Sequence, residues 1–197
     1  EPMGIAFTFV RTEPEPAFED AIRKETRWIY VESPTNPLVK IVDLARVGDI
    51  AKRRGLSAVL DGTFASPVLQ QPVSLGFDLV LHSATKYLNG HADVLAGFAA
   101  GSAKMLQPIR NRRLRTGGII DPHAAFLLTR GMKTVGLRVR AQSENALRLA
   151  EMLARSPAVE KVHYPGLPSH AGHDVARRQM SGFGAMLAFD VRGGLPK

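Results

Sequence analysis

Cysteine is absent from this chain of 197 residues, and no apolar run approaches the roughly 20 residues that a membrane-spanning helix needs. Without thiols there can be no disulfide framework, no thiolate nucleophile and no zinc site built on sulfur. The first residues, EPMGIAFTFVRTEPEP, also lack the basic flank, long apolar stretch and cleavage site of a secretory signal. We therefore expect a cytoplasmic globular protein with no membrane partner.

Aromatic residues are few as well, at 7% of the chain, although the formal net charge is +8. A basic cluster, RNRRLR at residues 110–115, could attract the phosphates of a nucleic acid. Nucleic-acid binding also needs interleaved aromatic residues or a recognised fold motif, and neither accompanies the cluster. We therefore expect no nucleic-acid partner. The cluster is either a solvated face or an entrance for an anionic substrate, and the sequence does not decide between them.

Three short and mostly apolar segments have the length of β-strands: RWIYVE, LSAVLD and DLVLHS. Between the first two, DLARVGDIAKRRG predicts a helix with Leu44, Val47 and Ala51 on one face. Asp43 can cap its start and Gly55 can end it. Strands separated by a helix pair in parallel, so their carboxyl ends should lie at one edge of the sheet, where open α/β sheets bind ligands.

Polar residues follow all three strand candidates and should meet at that edge: Glu32 and Asn36, then Asp61, then Ser83, Thr85 and Lys86. Each has an ordinary interpretation when it is taken alone. Asp-Gly is a common turn, and a lysine at the end of a strand is usually exposed. Together they offer the set of groups that one cofactor, pyridoxal phosphate, requires.

Pyridoxal phosphate needs an amine for its aldehyde, an anion beside its ring nitrogen, donors for its phosphate and a group for its ring hydroxyl. Lys86 can supply the amine and can later carry protons. Asp61 can keep the ring nitrogen protonated. Ser83 and Thr85 occupy alternate positions, so in an extended segment both hydroxyls would face the phosphate. Asn36 is the candidate donor to the ring oxygen.

The segments VESPTNPLVKIVDL, DGTFASP and HSATKYLNGHADVLAG resemble motifs of the Cys/Met-metabolism pyridoxal-phosphate family. That family contains cystathionine γ-synthase, cystathionine γ- and β-lyases, methionine γ-lyase and the homoserine-ester sulfhydrylases. The similarity continues through LLTRGMKTVGLRV and VEKVHYPGLPSHAGHDVARRQM, so it covers nearly the whole chain. It implies the fold-type-I transferase architecture, an α/β fold with a mostly parallel sheet and flanking helices, plus the start of a small α+β domain.

The resemblance implies the same roles for the residues at the strand ends. Lys86 would carry the cofactor as a Schiff base, and Asp61 would contact the pyridine nitrogen. The remaining cofactor contacts would come from Asn36 at the ring hydroxyl, Ser83 and Thr85 at the phosphate, and Thr63, which is kept beside Asp61. Family members usually carry Asn where this chain has Gly62, and we expect this difference to loosen the loop without abolishing cofactor binding.

Chains of the family are about twice this length, so the resemblance implies that this sequence begins inside the large domain and stops inside the small one. We assign residues 1–140 to the large cofactor-binding domain, and residues 141–197 to a linking helix and the first part of the small domain, with VEKVHY and AMLAFDV as strands. The linking helix is expected within residues 134–156, with four residues partly buried: Ala141, Leu147, Leu149 and Met152. A shorter polar helix is expected at residues 16–25.

Histidines offer a possible metal site, because His163, His170 and His173 lie close together in the sequence. No carboxylate or cysteine accompanies them in a ligand pattern, so we interpret them as surface residues and expect no metal. His82 and His91 flank the candidate lysine. Polar packing around the site explains these two better than proton transfer does.

The resemblance implies elimination or replacement at Cγ, or at Cβ, of a sulfur-containing or homoserine-derived amino acid, carried out by a homotetramer. The segment LRTGGIIDPHAAFLLTRG favours chemistry at Cγ. The reaction stays open between cystathionine γ-synthase, γ-lyase, β-lyase and homoserine-ester sulfhydrylase. The arginine for the substrate carboxylate is expected outside this sequence, and Arg130 is interpreted as structural. The alternative is a non-catalytic piece that keeps the fold without turnover.

Overall fold

Two β-sheets and seven α-helices form the part of the chain described by the structure, a computed structural model that covers residues 4–11 and 17–194. The helices are α1 (Phe18–Ala21), α2 (Leu44–Arg54), α3 (Ser66–Leu69), α4 (Ala103–Thr116), α5 (Pro122–Met132), α6 (Val135–Ala154) and α7 (His173–Gln179). The strands are β1 (Trp28–Glu32), β2 (Ser57–Asp61), β3 (Leu79–Ser83), β4 (Gly97–Gly101), β5 (Val159–His163) and β6 (Ala188–Val191). A 3-10 turn at Pro72–Leu75 follows α3. Within these ranges no helix is long and apolar enough to cross a membrane.

The first sheet has the order β1-β2-β3-β4, with β1, β2 and β3 parallel and β4 antiparallel to β3. The register sets Glu32 beside Asp61 and Asp61 beside Leu81, so the three parallel strands end at one edge. The three predicted strands and their parallel pairing are confirmed. The sequence pattern does not predict β4, because its segment, GFAAG, consists mainly of residues that are poor strand formers.

Helix α2 covers one face of this sheet and has the boundaries that its sequence predicts. Asp43 Oδ1 accepts a hydrogen bond from the Arg46 N–H at 3.1 Å, and Gly55 ends the helix with a φ of 63°. The buried cluster between helix and sheet contains Leu44, Val47, Ile50 and Ala51 from α2 with Ile29, Val31, Ala58, Leu60 and Val80 from the strands. Each larger side chain contributes about 1.5–3 kcal/mol on burial, so this layer stabilises the sheet whose edge carries the candidate site.

Helix α1 is shorter than the sequence predicts. It spans only Phe18–Ala21, whereas the expected helix covers residues 16–25. The backbone of Ile22 is extended and its N–H bonds to the Glu19 carbonyl, which ends the helix after one turn. Phe18 is buried in the α2 cluster, so packing against that cluster holds the turn that forms. Position 16 lies outside the described residues.

The long helix α6 lies within the predicted residues 134–156, but the prediction of its buried face is largely wrong. Its buried residues are Val139, Ala146 and Ala150. Leu147 is partly buried beside them, as predicted. The other three residues expected in the core are exposed: Ala141, Leu149 and Met152. With 3.6 residues per turn, Ala141 and Met152 lie on the side of the helix opposite to the buried face, and Leu149 lies at the edge of that face. The small side chains of Ala146 and Ala150 pack against Val162 and Tyr164 at β5.

Strands β5 and β6 pair antiparallel at the positions of the two predicted C-terminal strands, which are confirmed. Helix α7 lies between them in the sequence and joins a cluster with residues of α3 and α6, which contains Ala65, Leu69, Val139, Ala176 and Met180. The Gln179 side chain accepts a hydrogen bond from the Leu44 N–H at 3.0 Å and donates one to the Val42 carbonyl at 2.9 Å. These two bonds attach the end of α7 to the start of α2.

Candidate active site

The carboxyl ends of β1, β2 and β3 bring candidates from three separate segments to one edge of the sheet. Glu32 ends β1, Asp61 ends β2 and Ser83 ends β3. Glu32 pairs with Asp61, and Leu81, which also pairs with Asp61, precedes Ser83 by two residues. Neighbouring strands lie about 4.8 Å apart, so side chains at these ends are within reach of one another.

Thr63 joins the ends of β2 and β3 through its hydroxyl. Its Oγ1 donates a hydrogen bond to Asp61 Oδ1 at 2.6 Å and accepts one from the Ser83 N–H at 2.8 Å. The Thr63 N–H donates to the same carboxylate oxygen at 3.0 Å. Two donors from one residue therefore hold the Asp61 carboxylate at the sheet edge, and bonds to a charged acceptor are stronger than neutral ones.

Tyr30 also lies at this edge and is not among the residues predicted from the sequence. It lies on β1, two residues before Glu32, and is 58% exposed. Burial of the phenol is the largest cause that raises the pKa of Tyr30, followed by the charges of Asp61 and Glu32 and a hydrogen bond with Asp61. The alternation of β1 could have identified it, because Trp28, Tyr30 and Glu32 share one face of the strand.

Glu32 is a partly buried carboxylate beside Asp61. Desolvation is the main cause that raises the pKa of Glu32, and the negative charge of Asp61 adds to the shift. The Asn36 N–H donates to Glu32 Oε1 at 3.0 Å, which stabilises the charged form and opposes the shift. The same bond ties the loop that carries the exposed Asn36 to the end of β1.

Lys86 lies on a turn that begins directly after β3. Its N–H donates to the Ser83 carbonyl at 3.1 Å, and its own carbonyl accepts from the Gly90 N–H at 2.7 Å. The Asn89 N–H bonds to the Ala84 carbonyl at 2.9 Å. Ala84 and Asn89 are fully buried, whereas Lys86 is exposed. The turn is therefore anchored on both sides of Lys86 and leaves that residue accessible.

The prediction that Ser83 and Thr85 share an extended segment is wrong. Strand β3 ends at Ser83, and Thr85 already lies in the turn. The chain turns here because the Lys86 N–H bonds back to the Ser83 carbonyl. Thr85 Oγ1 accepts a hydrogen bond from the Ala96 N–H at 3.0 Å and lies 3.5 Å from the Ala96 carbonyl oxygen. The assignment of both hydroxyls to a phosphate stays a prediction.

His82 is buried, and its ring lies next to the backbone of Gly62. Burial lowers the pKa of His82, and the charge of Asp61 and a hydrogen bond with the Gly62 backbone oppose the shift only in part. The ring is therefore neutral at neutral pH. A Cβ on Gly62 would lie 3.1 Å from the His82 ring, so the glycine gives the ring its space. His91 Nδ1 lies 2.8 Å from the Asn89 carbonyl oxygen, so both histidines make polar packing contacts.

The three histidines of the C-terminal region are partly buried structural residues, and the prediction that they lie at the surface is wrong. The His163 side chain is 13% exposed, with Nε2 at 2.8 Å from Asp190 Oδ2. The His173 ring stacks on Phe183, and His170 accepts a hydrogen bond from a nearby backbone N–H. His163 lies on β5, which pairs with β6, whereas His173 is the first residue of α7. Across the described ranges, no three His, Cys, Asp or Glu side chains are grouped so that they could hold a metal ion.

The groups at this edge fit a phosphorylated aldehyde cofactor. They comprise an exposed lysine, a carboxylate held by two donors, and several hydroxyls, all at the carboxyl ends of parallel strands. The fold and this set of groups are those of α/β proteins that carry a cofactor on a lysine. A family model described as "Cys/Met metabolism PLP-dependent enzyme" matches residues 1–197, and the chain belongs to that family.

Relatives with different named reactions are similar to this chain. It is 47% identical over 190 residues to cystathionine gamma-lyase of Bacillus subtilis, with 96% of this chain and 50% of that protein covered. It is 44% identical over 191 residues to cystathionine beta-lyase of Coxiella burnetii, with 96% and 49% covered. The crystal structure of cystathionine gamma-lyase from Lactobacillus plantarum, complexed with L-serine, matches with a TM-score of 0.86 and 42% identity over 89% of this chain and 46% of that one.

These matches confirm the family resemblance and the fold-type-I class that the sequence predicts. The chain spans about half the length of the curated relatives that it matches. Because those relatives are named as a gamma-lyase and a beta-lyase, membership of the family does not by itself select one reaction.

Proposed function

We propose that the protein is a pyridoxal-phosphate-dependent enzyme that eliminates or replaces a group at Cγ, or at Cβ, of a sulfur-containing or homoserine-derived amino acid. The observation that carries this proposal is the Asp61 carboxylate, which Thr63 holds beside the strand that leads into the Lys86 turn. Family membership and the similarity to two cystathionine lyases support the substrate class. When bound, the cofactor supplies an electron-accepting ring that stabilises negative charge at the substrate Cα.

The residues at the sheet edge have separate tasks in this proposal. Lys86 holds the cofactor through its amine and then moves the proton at the substrate Cα. Asp61 holds a proton at the ring nitrogen of the cofactor, since its carboxylate is fixed in place by Thr63. The remaining contacts are assigned to Ser83 and Thr85 at the phosphate and to Asn36 at the ring hydroxyl.

Chemistry at Cγ is the preferred form of this proposal, on the basis of the segment LRTGGIIDPHAAFLLTRG at residues 114–131. The segment contains the end of α4 and nearly all of α5, whose first N–H groups are capped by Asp121. The full-length protein should be incubated separately with cystathionine, methionine and an activated homoserine, and its products identified. Release of 2-oxobutanoate from cystathionine supports elimination at Cγ, whereas pyruvate alone would show elimination at Cβ.

We also propose a homotetrameric assembly and a division into two domains near residue 140. Family resemblance supports a homotetrameric, cytoplasmic enzyme. A division near residue 140 is supported by the two sheets, since β1 to β4 precede that position and β5 and β6 follow it. Size-exclusion chromatography with light scattering of the full-length protein tests the tetramer, and a monomeric mass would contradict it.

Covalent labelling tests Lys86 separately from turnover. The full-length protein incubated with pyridoxal phosphate and reduced with borohydride should carry the cofactor on the peptide that contains Lys86. Lys86→Ala should carry none and should keep the far-ultraviolet circular dichroism of the wild type, because Lys86 is exposed. Lys104→Ala, which removes an exposed lysine of α4, should be labelled like the wild type. Wild-type labelling at a different lysine would overturn the assignment.

A further inference from the structure

The guanidinium of Arg138, on α6, contacts the turn that carries Lys86. Its Nη2 donates hydrogen bonds to the carbonyl oxygens of Tyr87 at 3.0 Å and of Asn89 at 3.3 Å. These carbonyls follow Lys86 by one and by three residues. Hydrogen bonds from a charged donor are stronger than neutral ones, so the arginine holds the backbone of this turn from the side of α6.

The position of Arg138 is itself set by the junction between α5 and α6. Nη2 also donates to the Gly131 carbonyl at 2.9 Å, and Nε donates to Thr134 Oγ1 at 3.0 Å. Among the residues that the structure describes, the acceptors of Arg138 are all neutral carbonyl or hydroxyl oxygens. Burial lowers the pKa of Arg138, which is the expected effect of desolvation on such a group. The arginine is thus a bridge between a helix junction and the lysine turn.

Two glycines allow Arg138 and the turn that carries Lys86 to lie in close contact. A Cβ on Gly90, which has a φ of 79°, would overlap the guanidinium of Arg138. A Cβ on Gly131 would overlap the Asn89 carbonyl oxygen. The end of α5 and the turn therefore touch backbone to backbone, and there is no space for the turn to shift toward Arg138.

A second contact holds the same turn from a different part of the chain. The Tyr87 hydroxyl accepts a hydrogen bond from the Ala185 N–H at 2.8 Å, and burial raises the pKa of Tyr87. This contact restrains the side chain next to Lys86, whereas Arg138 restrains the backbone. Without the arginine, the Tyr87 contact can therefore keep the turn folded, while the backbone position of the turn is no longer fixed.

We propose that Arg138 is a positioning residue, which holds the turn at residues 87–90 so that the Lys86 amine lies where the aldehyde of the cofactor must react. This inference rests on the proposed function, because it assumes that Lys86 carries the cofactor. A purely structural arginine would change the stability of the protein and leave the rate of cofactor attachment per folded molecule unchanged. That difference makes the two roles separable.

The test uses Arg138→Met, Arg138→Lys and Arg140→Met in the full-length protein. Arg140 is the matched control, because it is exposed on the same helix and, within the described residues, donates only to the Gly136 carbonyl one turn earlier. The first measurement is hydrogen exchange of the cofactor-free protein at the Asn89 and Gly90 amides. Exchange there should rise about tenfold or more in Arg138→Met, while the amides of α2 and β2 keep their protection.

The second measurement is the rate at which pyridoxal phosphate becomes attached to Lys86, followed by borohydride trapping and mass spectrometry. Arg138→Met should attach the cofactor about tenfold more slowly or worse, because small misplacements of a reacting group cost large factors in rate. Arg138→Lys should be intermediate, since one ammonium cannot reach all the acceptors of the guanidinium. Arg140→Met should match the wild type.

The outcomes separate this inference from the proposed function. Attachment to Lys86 at the wild-type rate in Arg138→Met would overturn the positioning role. If that variant does not fold, Arg138→Lys decides, and a wild-type rate in it would overturn the role equally. A wild-type protein that is not labelled at Lys86 would instead contradict the proposed function.

Discussion

The Thr63 hydroxyl contacts the ends of two strands at once, so the arrangement of Asp61 depends on it. Thr63→Val keeps the volume and removes both hydrogen bonds of the hydroxyl. We expect the dissociation constant for pyridoxal phosphate in the full-length protein to rise about tenfold to a hundredfold, because an unsatisfied polar group costs about 1–3 kcal/mol. Absorbance titration measures the change, and Thr63→Ser should bind as the wild type does. Unchanged binding in the valine variant would show that Asp61 needs no such support.

His82 should make stability depend on pH, because burial lowers its pKa from the ordinary 6.5. Below that pH the unfolded chain takes up a proton at this position before the folded protein does. The contribution of neutral His82 to the free energy of unfolding is therefore present above pH 6.5 and is lost as the pH falls through the lowered pKa. His82→Gln should lose stability less steeply than the wild type in urea unfolding at about pH 7.5, 6 and 5. Parallel pH dependence of the two proteins would contradict this.

Residues at strand ends could be predicted from the sequence, because a strand and the polar residue that follows it are visible in a few consecutive letters. Lys86 and Asp61 belong to this group. Arg138 could not be found in this way, since it acts through a bond to Tyr87, 51 residues earlier in the chain. The alternation of β1 places Tyr30 on the same face as Glu32, but its contact with Asp61 depends on the pairing of β1 with β2.

The contact between α2 and the 3-10 turn at Pro72–Leu75 depends on Gly48. A Cβ on Gly48 would overlap the Leu75 carbonyl oxygen, which is backbone and cannot move alone. We expect Gly48→Ala to lower the free energy of unfolding by about 1–3 kcal/mol, in spite of the roughly 1 kcal/mol by which alanine is favoured over glycine in a helix. Urea unfolding of the purified variant measures the loss.

Gly136→Ala is the matched control for this prediction. Gly136 is also helical, but its Cβ would meet only the end of the flexible Arg140 side chain. This variant should unfold at the urea concentration of the wild type or above it. Equal losses in the two variants would show that crowding at Leu75 is not the cause.

Elements whose signals are local could be predicted, and elements that depend on a distant partner could not. The apolar spacing and both ends of α2 lie within 13 consecutive residues, Asp43 to Gly55. Strand β4 is different, since the glycine and alanine of GFAAG become a strand through pairing with β3. The buried face of α6 depends on where β5 packs, so three of the four residues expected from the sequence to be partly buried are exposed, and only Leu147 is partly buried.

The hydrogen bonds of Gln179 should make the two sheets depend on each other, because they join α7 to the start of α2. Gln179→Leu keeps a similar volume and leaves the Leu44 N–H and the Val42 carbonyl without these bonds. We expect the free energy of unfolding to fall by about 1–3 kcal/mol. Trp28, on β1, is the only tryptophan of the chain, so its fluorescence reports the first sheet during urea unfolding.

The fluorescence midpoint distinguishes coupled from independent unfolding. If the sheets unfold together, a substitution in α7 should shift the midpoint that Trp28 reports. An unshifted midpoint, together with a shift seen by circular dichroism, would mean that the two parts unfold separately. Gln107→Leu is the control, because Gln107 is exposed on α4 and donates to Asn111 on the same helix.

The contacts that hold the Lys86 turn also set an order of events during synthesis on the ribosome. The turn is made before these partners, because Arg138 follows Tyr87 by 51 residues and Ala185 follows it by 98 residues. At about 5–20 residues per second, the last of these partners is added roughly 5–20 s after the turn. A nascent chain therefore carries the lysine for seconds before it has the residues that place it. If Lys86 carries the cofactor as we propose, its attachment should therefore follow the synthesis of α6 and β5, which both precede Ala185.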